Sequence, residues 1–108
     1  MLTNHNIYKI IVGKFIDNNF VEFKNVAVNA VTSMYSMYGN NDFYVYIIEK
    51  RGSFHIISNR GFDIEIDDMK INIRKRSSDK NVMDRINPII DEIIADMSFY
   101  NDIDVVLW

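Results

Sequence analysis

Apolar residues recur along the chain with two periods: alternation, as in strands, and a three-to-four spacing, as in helices. The first run, IYKIIVGKFI from Ile7 to Ile16, is β-branched and aromatic. It predicts a strand with Ile7, Lys9, Ile11, Gly13 and Phe15 on one face. Residues 1–6 ahead of it are expected to form a flexible tail. Asp17, Asn18 and Asn19 are turn chemistry, because Asp and Asn tolerate unusual backbone angles, and FVEFK is expected to return as a short second strand. Asn25 is a candidate cap for a helix running to about Tyr38. Within it Val26, Ala27, Ala30, Val31, Met34 and Tyr38 fall at helical spacing, and Gly39 supplies a stop.

Two hairpins follow. DFYVYIIEK and SFHIISN face each other across Arg51-Gly52, a tight-turn pair. In the second hairpin Phe62, Ile64 and Ile66 alternate with Asp63, Glu65 and Asp67, and Met69, Ile71 and Ile73 alternate with Lys70, Asn72 and Arg74. A turn at Asp67-Asp68 predicts Ile66 opposite Met69, Ile64 opposite Ile71 and Glu65 opposite Lys70. A second helix is expected from the stripe Val82, Ile86, Ile89, Ile90, Ile93, Ile94 and Met97, capped by Ser77, Ser78 or Asp79 and kinked or restarted at Pro88. IDVVLW closes the chain as a strand. The elements then run β(β)αββββαβ. They imply one α+β domain of two layers, with two helices on a mostly antiparallel sheet of about five to six strands. This order resembles a ferredoxin-like βαββαβ plan with an extra hairpin, at the level of topology only.

Composition narrows the chemistry. The 108 residues suit one domain, and 48% hydrophobic with 25% charged residues is a globular balance. There is no cysteine, which removes disulfides, cysteine zinc sites and thiol catalysis together. No apolar run is long enough to cross a bilayer and the first residues lack the pattern of a signal peptide, so a cytoplasmic protein is expected. The formal net charge of -3 disfavours duplex binding as a global property.

Three constellations carry candidate chemistry. Asp68-Met69-Lys70, with Asp63 or Asp42 as a further acid, is similar to the acid–spacer–lysine element of PD-(D/E)xK metal-dependent nucleases. There the acids hold a divalent cation and the lysine stabilises charge at the attacked phosphate. A solvated ion pair on a strand accounts for the same residues. Arg74, Lys75, Arg76 and Lys80, joined by Lys50 and Arg51, form a basic cluster. With Tyr35, Tyr38, Tyr44 and Tyr46 it is a possible platform for single-stranded nucleic acid, though a charge run before a helix is more often only solvated.

The acidic positions Asp91, Glu92, Asp96, Asp102 and Asp104 read best as a solvated surface. His5 and His55 stand apart from one another, Ser33, Ser36 and Ser98 have no evident histidine partner, and no glycine-rich phosphate loop occurs. No metal or cofactor is expected.

The third constellation lies on the first hairpin. Tyr44, Tyr46, Ile48 and Ile57 fall on the side opposite Phe43, Val45, Ile47 and Ile56, so both faces are apolar or aromatic, and Trp108 ends a similar strand. In a two-layer fold a second apolar face predicts cover, by another chain or by an element of this chain placed elsewhere than expected. The leading expectation is a non-enzymatic protein-binding module, self-associating or binding another protein, with the aromatic hairpin face or the last strand as its contact surface and Tyr44, Tyr46, Ile48, Ile57 and Trp108 as its interface residues. The Ile-, Asn- and Lys-rich usage suits an accessory protein of a phage or mobile element that inhibits a host enzyme or defence complex.

Overall fold

The computed structural model describes residues 2–27, 33–77 and 79–108. The chain runs α1 (Asn4–Asp17), β1 (Glu22–Ala27), β2 (Ser33–Gly39), β3 (Tyr44–Lys50), β4 (Ser53–Ser58), β5 (Phe62–Asp67), β6 (Lys70–Lys75), α2 (Lys80–Met97) and β7 (Asp104–Leu107). The α+β class and the number of helices are as expected, but among the described residues the sheet has seven strands rather than five or six. Strand order in space follows strand order in the chain, and among the described residues only the β6–β7 pair is parallel. The likeness to a ferredoxin-like plan therefore does not hold, because that plan interleaves strands across the sheet.

The first element is a helix, not the expected strand. Ile7, Ile11 and Phe15 are four apart, a spacing that satisfies alternation and a helical stripe alike, and all three are buried together with Val12. The N-terminus decides between the two. Thr3 Oγ1 accepts from the Asn6 N–H at 3.1 Å and Asn6 Oδ1 accepts from the Thr3 N–H at 3.0 Å. This capping box satisfies amides that a helix start leaves open. Residues 3–6, expected within a flexible tail, thus form the start of α1. Asn4 also ties this end of the helix to two sheet turns, donating to the Gly52 carbonyl and accepting from the Met69 N–H.

The helix expected from Asn25 to about Tyr38 is replaced by strands. Residues 25–27 belong to β1 and residues 33–38 to β2, with Val26 opposite Tyr35 and Asn25 opposite Ser36. Residues 28–32 of that expected helix lie outside the described residues. The segment is rich in valine and tyrosine, which lose side-chain freedom against a helical turn and fit a pleated surface. Gly39 ends β2 at φ 122°, where an added Cβ would meet the Phe43 carbonyl, so no other residue fits.

Both hairpins form. β3 and β4 turn at Arg51-Gly52, with φ of 53° and 83°. The second turn is Asp68-Met69, with φ of 48° and 59°, one residue later than expected. Asp67 therefore lies opposite Lys70, Ile66 opposite Ile71, Glu65 opposite Asn72 and Ile64 opposite Ile73. The expected pairs Ile66 with Met69 and Glu65 with Lys70 do not form. Moving the turn by one residue shifts the pairing by two, which preserves the faces: every isoleucine stays on its side.

Alternate residues of β3 to β6 (Val45, Ile47, Phe54, Ile56, Phe62, Ile64, Ile66, Ile71 and Ile73) form one core with the apolar stripes of α1 and α2. Both helices consequently cover the same sheet face. α2 buries Val82, Ile86, Ile89, Ile90, Ile93 and Met97, with Ile94 half-buried at the margin. Its cap is Asp79, whose Oδ1 accepts from the Asn81 and Val82 amides. Ser77 supports it by accepting from the Asp79 N–H, and Ser78 lies outside the described residues. Pro88 sits within the helix and does not restart it. It is exposed, so water can serve the Asp84 carbonyl that has lost its donor. Among the described residues no helix is long and apolar enough to cross a membrane.

Candidate functional site: the helix-free sheet face

With both helices on one side, the other side of the sheet has no layer over it among the described residues. Its residues follow from the register. One row across the strands runs Met37, Tyr46, Ile57, Asp63 and Arg74. The next runs Ile48, His55, Glu65, Asn72 and Val106. Tyr44 lies opposite Gly39 and meets Phe23 edge-on, ring centroids 6.1 Å apart. Phe23 is 42% exposed at the β1 bulge between Glu22 and Lys24.

The face therefore has two halves. β1 to β4 present Phe23, Met37, Tyr44, Tyr46, Ile48 and Ile57, and β5 to β7 present mainly charge. The structure brings the expected interface residues Tyr44, Tyr46, Ile48 and Ile57 together as one half-buried patch. Trp108, also expected there, is on the same face but at the far edge, 68% exposed, with the charged strands between. Phe23 and Met37 were missed. Met37 lies where a helix was expected; Phe23 lies in the strand expected over FVEFK, and its place beside Tyr44 comes from the β1 bulge, which alternation does not show.

The charged half is internally paired. Asp63 carboxylate oxygens lie 2.7 Å from Arg76 and 3.6 Å from Arg74. Glu65 is 3.8 Å from His55 Nδ1 and 3.4 Å from Asn72 Nδ2. The Arg74 guanidinium overlies the Trp108 ring at 5.4 Å, and Trp108 Nε1 donates to Asn72 Oδ1 at 3.5 Å.

The basic cluster is divided between the two sides of the sheet. Arg74 and Arg76 share Asp63 on the open face, Lys75 Nζ donates to Asn87 of α2 on the helix side, and Lys80 pairs with Asp84 along α2. Lys50 and Arg51 stand at the opposite end of the strands. Of the tyrosines expected with that cluster, Tyr44 and Tyr46 face outward and Tyr38 packs toward the core. The side chain of Tyr35 lies outside the described residues, as does that of Ser33.

Asp68 occupies the turn, beyond the ends of β5 and β6. Lys70 lies in register between Asp67 and Asp104. Asp63 is held by arginines, and Asp42 lies in the β2–β3 loop, at the other end of the sheet. Among the described residues no three of His, Asp and Glu converge to hold a metal ion. His5 lies in the first turn of α1, its ring 5.9 Å from those of Tyr8 and Phe54. Of the acidic positions, Asp96 pairs with Lys14 between the helices and Glu92 accepts from Asn18.

On the helix side, beside α1, a groove is lined by Tyr8, stacked on Phe54 at 4.3 Å, and Tyr38. Burial raises the pKa of both phenols, helped for Tyr8 by the charges of Tyr38, Glu22 and Glu49 and for Tyr38 by Glu22. Compared with protein-family models, curated proteins and solved structures, the chain matches none.

Proposed function

We propose that the chain is a small non-enzymatic protein-binding module whose contact surface is the helix-free face of β1 to β4. One observation carries this reading: Phe23, Met37, Tyr44, Tyr46, Ile48 and Ile57 form a continuous apolar and aromatic patch on a sheet face that no described residue layers over. Tyrosines there offer large rigid area at low entropic cost, and the charged strip of β5 and β6 beside them is the polar rim that such interfaces have. A module of this kind acts by occupying a partner's surface. That is the mode by which an accessory protein of a phage or mobile element inhibits a host enzyme or defence complex.

Affinity capture with variants tests the reading. Ile57→Lys puts an ammonium at the centre of the patch, beside Asp63, without entering the core. The expected result is a protein retained in stoichiometric amount by wild type and by Arg76→Ala, and lost with Ile57→Lys. A partner retained undiminished by Ile57→Lys overturns the reading. So does retention of nucleic acid alone, eluted by salt and weakened by Arg76→Ala.

A further inference from the structure

The two edges of the sheet are built differently. β1 carries a register irregularity between Glu22 and Lys24, and bulged, charged edges resist pairing with other strands. β7 is regular. It keeps parallel register with β6 from Lys70 opposite Asp104 to Ile73 opposite Leu107, reads DVVL, and has its charge only at its first residue. Among the described residues no strand lies beyond it.

The Asp104 N–H donates to the Met69 carbonyl and the Trp108 N–H to the Ile73 carbonyl, so these amides face β6. Backbone groups of alternate residues point to opposite sides of a strand, which directs the N–H and C=O of Val105 and Leu107 outward from the sheet. Leu107 agrees with this. It lies in register with fully buried Ile73, on the side that the helices cover, yet is 49% exposed.

We propose that β7 is a self-association edge, at which a second copy of this chain adds its own β7 antiparallel about a two-fold axis through Val106. Two features select a second copy. First, the register that sets Val106 against itself brings the outward groups of Val105 against those of Leu107 in the second copy, so each such pair exchanges both its hydrogen bonds. Second, the same register sets Asp104 of the second copy opposite Trp108, next to Arg74, which already overlies that ring. An acid thus arrives beside a cation on the open face, and the symmetry axis repeats the match at the other end of the strand. The edge stands apart from the Tyr44–Ile57 patch and does not depend on its role.

Sedimentation equilibrium across a wide concentration range tests the edge. Wild type is expected to rise toward the mass of two chains. Val106→Lys sets two ammonium groups face to face on the axis. Leu107→Pro removes an outward N–H and leaves the bonds to β6 in place. Each is expected to weaken self-association by about tenfold or more with an unchanged circular dichroism spectrum, while Asp91→Ala, on the exposed side of α2, leaves it as in wild type. Should either variant fail to fold, amide hydrogen exchange on wild type decides. The Val105 and Leu107 amides slow as protein concentration rises if the edge is paired. A single-chain mass at every concentration, self-association undiminished by both variants, or Val105 and Leu107 amides indifferent to concentration overturns the proposal.

Discussion

Asn59 shows how one side chain holds the end of the apolar patch in place. Its Oδ1 accepts from the Tyr44 N–H at 2.9 Å and its Nδ2 donates to the Asp42 carbonyl at 3.1 Å, while its own N–H reaches the Tyr44 carbonyl at 3.2 Å. The Asp42 carbonyl also accepts from Arg60 Nε at 2.9 Å, and Asn40 Oδ1 accepts from the Asp42 and Phe43 amides. The loops before β3 and after β4 are therefore fastened directly to each other, in addition to the anchoring of Phe43 in the core. Asn59→Ala removes both side-chain bonds at a site water can reach, and a loss of about 1 kcal/mol in urea unfolding is expected. Asn59→Asp keeps the acceptor for Tyr44 and loses the donor to Asp42, so about half that loss is expected. Equal stability of all three proteins would show that the loops do not need this tie.

Among the elements, α1 holds a residue that its own stability does not favour. Gly13 lies in the helix interior, and a Cβ built there meets nothing within 4 Å. Gly13→Ala is expected to stabilise the fold by about 0.5 to 1 kcal/mol, read as a higher urea midpoint at unchanged slope. A decrease would mean that the helix is strained at this turn.

The same helix marks the limit of what the sequence pattern can decide. Ile7, Ile11 and Phe15 satisfy periods of 2 and 3.6 equally, and the deciding signal, Thr3 with Asn6, is a local hydrogen-bond exchange rather than a hydrophobic pattern. The segment from Asn25 to Tyr38 misled in the other direction, since Val26, Ala27, Ala30 and Val31 also fit a helical stripe. What turns residues 33–38 into a strand is the long-range pairing with β3, such as Tyr38 with Val45, which no local window contains. Where alternation was unbroken, in β3 to β6, faces and hairpin pairing could be read directly, while the β5–β6 register differs by two residues because the turn lies one residue later. The patch formed by Tyr44, Tyr46, Ile48 and Ile57 was found that way. Its extension to Phe23 and Met37 required the pairing of β1 and β2.

At the scale of the whole molecule, three groups link stability to alkaline pH. Tyr8 and Tyr38 titrate above the ordinary 10.0, chiefly through burial, and Lys14 titrates above 10.5, chiefly through its hydrogen bond to Asp96. In each case the folded state holds the proton more tightly than the unfolded chain. This contribution is therefore fully present below the ordinary values and is lost as pH rises through the folded ones. Urea midpoints are expected to be insensitive to these groups up to about pH 10 and to fall above it, and Tyr8→Phe is expected to flatten the fall. A midpoint that holds level to pH 11 would contradict the burial of both phenols.

The strand order has a consequence for how the molecule assembles. From β1 to β6 each strand pairs with its neighbour in the chain, so most of the sheet closes over short loops and can zip up while synthesis proceeds. β7 pairs with β6 across the α2 crossover, the longest connection between neighbouring strands of this sheet. Until that crossover closes, the flank of β6, with Ile71 and Ile73, is open to strands of other chains, and the pairing of β7 is what shuts it.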